Sequence, residues 1–261
     1  QLIYGDCLEV MPTLESGSVD MILCDLPYGT TSCHWDSVIP FEPLWAQYKR
    51  IIKPRGAIVL FGSQPFTSAL VMSNIDWFKY EWIWKKTHAT GQLNLNVRPM
   101  TEHENICVFA SGKTTYNLQM TKKPKDKIRA PTRMGMSDCY GAQREYDRTV
   151  PIDMRSPTTV LQFGSVNHGE RGYHPTQKPV DLLAYLIRTY TNEGETILDN
   201  TTGSGSTIVA AIQEGRNAIG IERDADYFAI AQQRCLEATY QPSLFAPQPT
   251  QWEPVAMFGD D

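Results

Sequence analysis

The segment at residues 197–207, which reads ILDNTTGSGST, constrains the fold more than any other part of this sequence. It begins as an apolar strand, ends that strand on Asp199, and turns through Gly203-Ser204-Gly205 into a helix. Glycine tolerates a positive φ and lets the backbone approach a ligand closely, while the first N–H groups of the helix face the turn. The pattern predicts a strand, a ligand-binding turn and a helix within an α/β sheet.

A second apolar strand follows at residues 218–222 and ends on Glu222. An acid at the carboxyl end of a strand suits the two hydroxyls of a ribose. The turn lacks the third glycine of a dinucleotide-binding fingerprint and the Lys-Ser/Thr of a P-loop. We therefore expect a nucleoside-type ligand without a phosphate chain, although the glycine turn taken alone is equally compatible with an ordinary tight turn.

Strand and helix patterns alternate over most of the chain, and this alternation predicts a doubly wound, mainly parallel sheet with helices on both faces. Pro54-Arg55-Gly56 is expected to separate the first long helix from the strand that follows it. The expected strands are residues 19–24, 57–62, 81–85, 105–110, 196–199 and 218–222. The expected helices are residues 41–52, 180–191, 206–214 and 225–238.

A second polar loop follows the strand at residues 19–24, where the sequence continues as Asp25-Leu26-Pro27-Tyr28. Ligands in open α/β sheets bind at this carboxyl edge, and a proline restricts the preceding residue to extended backbone, which fixes the direction of its carbonyl. The carboxylate and that carbonyl are placed to accept two hydrogen bonds from one NH₂ group, beside an aromatic face for an unpaired base. A Pro-Tyr turn with the aspartate as a helix cap is the alternative explanation.

Charge is distributed unevenly along the sequence. The 24 Lys and Arg and 29 Asp and Glu give a formal net charge of −5, which alone argues against a nucleic-acid partner. Residues 113–178, however, hold twelve Lys and Arg against six Asp and Glu. This basic segment is consistent with a surface that meets a polyanion, and equally with a solvated lysine-rich loop.

Other classes of protein are disfavoured by composition. No apolar run approaches the roughly 18 residues that a membrane helix needs, so we expect no membrane association. The six cysteines and five histidines are scattered without zinc-site spacing, so we expect no metal and reduced thiols in a cytoplasmic protein. Trp77, Trp82 and Trp84 are expected in the core or on a sheet face.

Together the motifs resemble those of the DNA amino-methyltransferases, which methylate adenine N6 or cytosine N4 with S-adenosylmethionine. The family's D-P-P-Y catalytic motif corresponds to residues 25–28, its D-P-F-x-G-S-G-T-T cofactor loop to residues 199–207, and its H-x-T-Q-K-P signature to residues 174–179. Its G-D-C/A element corresponds to residues 5–7 and its H-E-x-[IL] element to residues 103–106. The catalytic motif precedes the cofactor loop, an order that resembles the family's permuted β arrangement.

The resemblance implies a Rossmann-like class I methyltransferase fold with permuted motif order and a basic target-recognition insert. It divides the chain into four segments. They are a catalytic half at residues 1–112, the basic insert at 113–172, a cofactor-binding half at 173–238 and a flexible Pro/Gln-rich tail at 239–261.

The resemblance also implies roles for individual residues. The catalytic residues are Asp25, Leu26, Pro27 and Tyr28. For S-adenosylmethionine, the resemblance implies Asp6 and Cys7 at the adenine and Glu222 at the ribose. At the methionine part it implies Asp199, Thr201, Gly203, Ser204 and Gly205, with Thr176 and Lys178 at the carboxylate, and it includes His174 among the cofactor-binding residues. The candidate DNA-binding residues are Lys122, Lys123, Lys125, Lys127, Arg129, Arg133, Arg144 and Arg148.

Two positions depart from the family pattern: Leu26 replaces the first proline of the catalytic motif, and Asn200-Thr201 replaces Pro-Phe in the cofactor loop. Only the carbonyl of Leu26 is needed, so activity is expected to survive, whereas the loss of the aromatic leaves cofactor affinity open. An aspartate at position 25, where cytosine N4 enzymes favour serine, favours adenine. The alternatives are a cytosine-N4 methyltransferase and a catalytically impaired DNA-binding relative; a nicotinamide oxidoreductase would leave residues 25–28 and 174–179 unexplained.

The expected partner is double-stranded DNA, in a bacterial or phage-encoded restriction-modification setting, and a homodimer is possible. In the tail, Gln241, Leu244 and Phe245 belong to a segment similar to the short peptides that dock on the replication sliding clamp. A tail that packs on its own domain explains the same residues.

Overall fold

The computed structural model describes residues 1–29, 36–124, 128, 151–164 and 177–240. The strands of this part of the chain are β1 (Leu2–Tyr4), β2 (Val19–Cys24), β3 (Ile52–Gly62), β4 (Phe78–Thr90), β5 (Thr101–Phe109), β6 (Thr121–Lys122), β7 (Met154–Arg155), β8 (Val160–Gln162), β9 (Thr196–Asp199) and β10 (Asn217–Glu222). The helices are α1 (Cys7–Val10), α2 (Phe41–Ile51), α3 (Phe66–Ser73), α4 (Val180–Tyr190), α5 (Ser206–Gln213) and α6 (Ala225–Tyr240), with 3₁₀ turns at Met11–Thr13 and Gln92–Asn94.

Eight strands form one sheet in the order β1-β10-β9-β2-β3-β5-β4-β8. The first five are mutually parallel, β5 runs antiparallel to both β3 and β4, and β8 is parallel to β4. The prediction of a mainly parallel sheet is confirmed. Because β2 and β9 are parallel neighbours, the residues that follow them reach the same edge of the sheet.

The sheet is buried on both faces. Along β2, Ile22 and Cys24 join one buried cluster with Leu44 of α2, whereas Met21 and Leu23 join a second cluster that contains side chains of α4 and α5. This alternation explains why a strand covered on both faces reads as a continuous apolar run. The prediction of helices on both faces is therefore confirmed.

Helix α4 shows how one of these faces is covered. It begins after Pro179 and buries Leu182, Leu183, Leu186 and Ile187, whose spacing places them on one side of the helix. Each side chain of this kind contributes about 1.5–3 kcal/mol when fully buried. The position of α4 is thus set by its packing, and Lys178 is held just before its first turn.

The structure differs from the sequence-based expectations at the β3 and β4 strands. Strand β3 begins at Ile52, immediately after α2, and its register against β2 shifts so that Val19 pairs with Ile52 and Met21 with Ala57. Residues 53–56, expected as a turn, therefore form a bulge inside the strand, a position that tolerates proline and glycine. Strand β4 extends well beyond residues 81–85 because it pairs along its length with β5. Trp82 and Trp84 are buried, as predicted.

The contacts divide the chain into two compact units, one of residues 1–117 with 159–261 and one of residues 118–158. In the second unit β6 and β7 pair antiparallel, with Thr121 opposite Arg155. The Lys123 N–H donates to the Asp153 carbonyl at 2.7 Å. Within the described ranges, the helices are all too short or too polar to cross a membrane.

Candidate active site

A cavity of about 850 Å³ lies at the carboxyl ends of β2, β9 and β10. Its wall includes the residues that follow β2, the turn that follows β9, and the end of β10. Strands β4 and β5 add Trp84, Lys86, His88 and Glu104. The volume is within the range of small-molecule and cofactor sites, roughly 300–1,000 Å³.

Asp25 is bound on both carboxylate oxygens. The Tyr28 hydroxyl donates to Oδ1, and the Lys178 ammonium donates to Oδ2. Lys178 Nζ also lies 3.3 Å from Glu104 Oε2, and Lys86 Nζ lies 2.5 Å from Glu104 Oε1. The four charged side chains therefore form a row of alternating sign, and Lys178 is only 7% exposed within it.

The electrostatics of this row follow from burial and pairing. Burial raises the pKa of Asp25, and the Lys178 ammonium opposes that rise. Burial alone would lower the pKa of Lys178, but the Asp25 and Glu104 carboxylates outweigh it and raise the pKa. Burial likewise favours neutral Glu104, but Lys178 and Lys86 together lower its pKa. Burial raises the pKa of Tyr28 well above its ordinary value, so its hydroxyl remains a donor.

Packing holds the catalytic segment in place. The Tyr28 ring stacks on Phe66 of α3 with centroids 4.9 Å apart, and Leu26 is buried. Lys178 Nζ lies 5.1 Å from the centroid of the Phe61 ring at the end of β3. The Thr201 hydroxyl donates to the Asp25 carbonyl at 3.2 Å, which ties the residues after β2 to the turn after β9.

The glycine turn after β9 is built around Glu222. The Gly203 N–H donates to Glu222 Oε2 at 2.7 Å, and the Asp224 N–H donates to Oε1 at 2.8 Å. Gly203 has φ +54° and Gly205 has φ +83°, and a Cβ at position 205 would lie 3.1 Å from the Cβ of Ala231 in α6. The turn therefore requires glycine both for its backbone conformation and for its close approach to the helix.

Asp199 lies at the end of β9 and is buried. Its Oδ1 accepts from the Thr201 N–H at 3.1 Å. Burial raises its pKa to about 7, hydrogen bonds from Thr207 and Thr201 oppose the rise, and the nearby Asp25 adds to it. Within the described ranges no salt bridge compensates the Asp199 carboxylate.

Asn200 places an unpartnered donor in the cavity wall. Its side chain is 1% exposed, and its Oδ1 accepts from the Tyr48 hydroxyl at 2.6 Å and from Cys24 Sγ at 2.8 Å. Both neighbours are donors, because burial raises the pKa of Cys24 and of Tyr48 well above their ordinary values. The Asn200 Nδ2 has no hydrogen-bond partner among the described residues. Buried amide donors are usually paired, so this N–H group is available to an acceptor on a ligand.

Residues 5–7, between β1 and the start of α1, line the end of the cavity that contains Glu222. Asp6 caps α1 by accepting from the Leu8 N–H at 2.8 Å, and the Gly5 N–H donates to the Glu222 carbonyl at 2.9 Å. Asp6 and Cys7 line the cavity beside Glu222. Two segments far apart in sequence thus meet where the resemblance implies adenine and ribose binding.

The cavity brings together most of the predicted site residues that the structure describes. The lining members are Asp6, Cys7, Asp25, Leu26, Pro27, Tyr28, Lys178, Asp199, Thr201, Gly203, Ser204 and Glu222. Gly205 is not among the lining residues and forms the N-cap of α5. Lys122 and Lys123 lie in the unit of residues 118–158. The predicted residues outside the described ranges are His174, Thr176, Lys125, Lys127, Arg129, Arg133, Arg144, Arg148, Gln241, Leu244 and Phe245.

Sequence reasoning did not anticipate the surroundings of Lys178. It placed this residue at the cofactor carboxylate, whereas the structure places the ammonium between Asp25 and Glu104. Glu104 carried a signal, since it belongs to the H-E-x-[IL] element, but Lys86 carried none. Its contact with Glu104 depends on the pairing of β4 with β5, in which Trp84 is opposite Glu104.

Comparison with known proteins identifies relatives along most of the chain. The family profile described as DNA methylase, of the N6 and N4 methyltransferases, matches residues 19–233. The chain is 28% identical over 251 residues to the type II methyltransferase M.HpaI of Haemophilus parainfluenzae, covering 90% of this chain and 73% of the relative. It is 27% identical over 271 residues to the type II methyltransferase M.HinfI of Haemophilus influenzae, covering 93% and 70%.

Solved structures share the fold. The crystal structure of an M1.HpyAVI–SAM complex matches with a TM-score of 0.59 and 24% identity, covering 90% of this chain and 98% of the other. The cytosine-N4-specific PvuII DNA methyltransferase matches with a TM-score of 0.63 and 15% identity, covering 90% and 85%. The sheet and its helices are therefore those of class I DNA methyltransferases.

Proposed function

Since this chain belongs to the DNA methylase family of N6 and N4 methyltransferases, we propose that it methylates N6 of an adenine that is flipped out of double-stranded DNA. Membership of the family establishes a DNA methyltransferase that uses S-adenosylmethionine. The proposal adds the target base and the roles of individual residues. The observation that carries it is the cavity in which the Asp25 carboxylate lies beside the glycine turn and Glu222.

The residues at the β9 and β10 end of the cavity fit S-adenosylmethionine. Glu222, fixed by two backbone N–H groups, retains acceptor capacity for the two ribose hydroxyls. The unpartnered Asn200 Nδ2 supplies a donor for a ring nitrogen of the adenine, and Asp6 and Cys7 line the same region. Asp199, Thr201 and Gly203 would hold the methionine part. When bound, this cofactor supplies an electrophilic methyl group.

The catalytic segment is suited to orient an exocyclic amine. The Asp25 carboxylate and the Leu26 carbonyl would accept its two hydrogens, so that the nitrogen lone pair faces the methyl group. The nitrogen would accept the methyl group that the cofactor supplies, and Asp25 or solvent would take the amine proton that is released. Tyr28 offers a face for the base, and stacking of this kind contributes about 1–3 kcal/mol. Positioning and charge placement supply most of the catalysis.

A base inside a duplex cannot present its amine to a buried methyl group, so the target must leave the stack at a cost of a few kcal/mol. We assign target recognition to the basic insert at residues 113–172. Its Lys122 and Lys123 suit phosphate contacts, which fix the position of the enzyme on the duplex. The arginines of the insert suit bidentate readout of guanine.

Asp25 supports adenine as the target, because cytosine N4 enzymes favour serine at this position. The test is to express the protein in cells that lack DNA methylation, digest their DNA to nucleosides and determine the masses of the products. N6-methyladenine is expected. N4-methylcytosine would contradict the choice of base and retain the catalytic chemistry, whereas unmodified DNA would contradict the proposed function.

A further inference from the structure

The connection between β4 and β5 exposes a cluster of large apolar side chains. Leu93 is 101% exposed, Leu95 54% and Val97 86%. Single exposed apolar residues are ordinary, but three within five positions mark an interaction site. The connection is held in shape by its own backbone, since the N–H groups of Val97 and Arg98 both donate to the Asn94 carbonyl at 2.9 Å. The apolar side chains are thus presented by a hydrogen-bonded turn.

This connection extends directly from the wall of the cavity. His88, Ala89 and Thr90 at the end of β4 line the cavity, and Lys86 in the same strand contacts Glu104. Leu93 follows Thr90 by three residues, a reach of at most about 10 Å. Leu93 therefore lies within about 10 Å of a residue that lines the cavity, and the exposed cluster continues from there.

The charge of this hairpin suits a polyanion. Residues 85–101 contain Lys85, Lys86 and Arg98 and no Asp or Glu. Because Glu102 follows this stretch and Glu104 pairs with Lys86, the exposed cations that can face phosphates are Lys85 and Arg98. The apolar tip between them is complementary to base pairs, which present flat apolar faces.

We propose that Leu93, Leu95 and Val97 form a wedge that enters the DNA base stack next to the flipped base. The inference rests on the proposed function and adds a surface that stabilises the flipped state. Removing a base leaves a gap between its neighbours, and apolar side chains inserted at such steps offset part of the lost stacking. The wedge acts on the duplex and makes no contact with the cofactor.

The test compares the triple variant Leu93→Ser, Leu95→Ser, Val97→Ser with the control Met72→Ser, whose side chain on α3 is 70% exposed. The duplex carries the site identified by sequencing methylated DNA from expressing cells. On this duplex the triple variant is expected to lose at least tenfold in kcat/KM, whereas the control stays at the wild-type value. Replacing the opposite base with a mismatch unpairs the target, and the loss is then expected to shrink to about threefold or less.

Two further measurements separate the wedge from other causes. For the triple serine variant, the Kd for S-adenosylmethionine measured by calorimetry is expected to equal the wild-type value. A second variant, Leu93→Met, Leu95→Met, Val97→Ile, keeps the tip apolar and is expected to retain activity. An equal loss on paired and mismatched duplexes, or no loss on either, would overturn the wedge. A change in oligomeric mass would instead assign the cluster to self-association. Absence of methyl transfer by the wild type would overturn the proposed function itself.

Discussion

Two aspartates lie at neighbouring strand ends, Asp199 buried and Asp25 partly exposed, and their carboxylates have different electrostatic partners. Asp25 follows β2 and is paired with the Lys178 ammonium, whereas Asp199 ends β9 and accepts hydrogen bonds from neutral groups of Thr201 and Thr207. Burial raises the pKa of both, and among the residues that the structure describes a cation opposes the rise at Asp25 but not at Asp199. The sheet edge therefore holds one carboxylate that is paired with an ammonium and one, Asp199, whose pKa of about 7 lets it gain or lose a proton near neutral pH.

The difference matches what each carboxylate would meet. In the proposed reaction Asp25 would accept one hydrogen of a neutral amine, and an ionised carboxylate is the better acceptor for it. Asp199 would face the positively charged methionine part of the cofactor, and that charge itself favours ionisation. The comparison yields four predictions, which follow in order of decreasing effect.

The largest effect is expected at the paired aspartate. Asp25→Ala removes an acceptor from the reacting amine, and kcat is expected to fall by about 10²-fold or more, in line with the loss of one preorganised polar group in other enzymes. The Kd for S-adenosylmethionine is expected to change by less than about threefold, because Asp25 does not form the cofactor end of the cavity. Single-turnover methylation and calorimetry measure the two quantities.

Asp25→Ala also leaves the buried Lys178 ammonium with Glu104 as its remaining carboxylate partner among the described residues, so the loss of unfolding free energy is expected to stay below the about 3–5 kcal/mol of a fully broken buried pair. The double variant Asp25→Ala, Lys178→Met removes this charge and is expected to regain much of the unfolding free energy while staying inactive. Recovery of activity in the double variant would show that Asp25 serves the fold rather than the reaction.

The sequence revealed the two aspartates but not the difference between them. Strands β2 and β9 match their predicted bounds because both are short apolar runs that end in recognisable polar turns. The pairing of Lys178 with Asp25 and Glu104 depends on where α4 and the β4–β5 hairpin pack, over separations of 70 residues and more. Such contacts leave no local periodicity. Helix α3 and strand β1 went unpredicted for a related reason, since each is short and is stabilised by its neighbours.

The unpaired aspartate predicts a dependence of stability on pH. Its folded-state pKa of about 7 exceeds the ordinary value of 3.8, so the native chain binds a proton more tightly than the unfolded chain. This contribution is fully present below pH 4 and is lost as pH rises through 7. Relative to Asp199→Asn, which mimics the protonated form, the wild type without cofactor is expected to lose about 2–3 kcal/mol of unfolding free energy between pH 5 and pH 8.

Urea unfolding of both proteins at the two pH values measures this difference, and other titrating groups cancel between them. Parallel curves for the wild type and Asp199→Asn would contradict a raised pKa at Asp199. In that case Asp199 would titrate like an ordinary aspartate, and the proposed difference in charge between Asp25 and Asp199 would be wrong.

A smaller effect is expected at the far end of the charged row. The Glu104 carboxylate raises the pKa of Asp25 and also helps to raise that of Lys178. Lys86 forms an ion pair with Glu104, and the Tyr28 hydroxyl donates a hydrogen bond to Asp25. Glu104→Gln removes this negative charge, so both pKa values fall. The acidic and basic limbs of the kcat profile are therefore expected to move to lower pH.

The matched control is Glu81→Gln, because Glu81 also lies in the β4–β5 pair and accepts from Asn105 Nδ2 at 2.8 Å, outside the charged row. Its kcat profile is expected to keep the wild-type limbs. A Glu104→Gln enzyme that loses activity equally at every pH would indicate that the residue supports only the packing of the strands.

The smallest effect is expected in the number of protons that are released when S-adenosylmethionine binds. At pH 6 an Asp199 with a pKa of about 7 is mostly protonated, and a cationic ligand next to it favours the carboxylate. Binding of S-adenosylmethionine is therefore expected to release close to one proton at pH 6 and almost none at pH 9. Calorimetric titration in two buffers of different ionisation enthalpy measures the release, and Asp199→Asn is expected to abolish it. If the release persists in that variant, the proton comes from another group, and Asp199 is as permanently charged as Asp25.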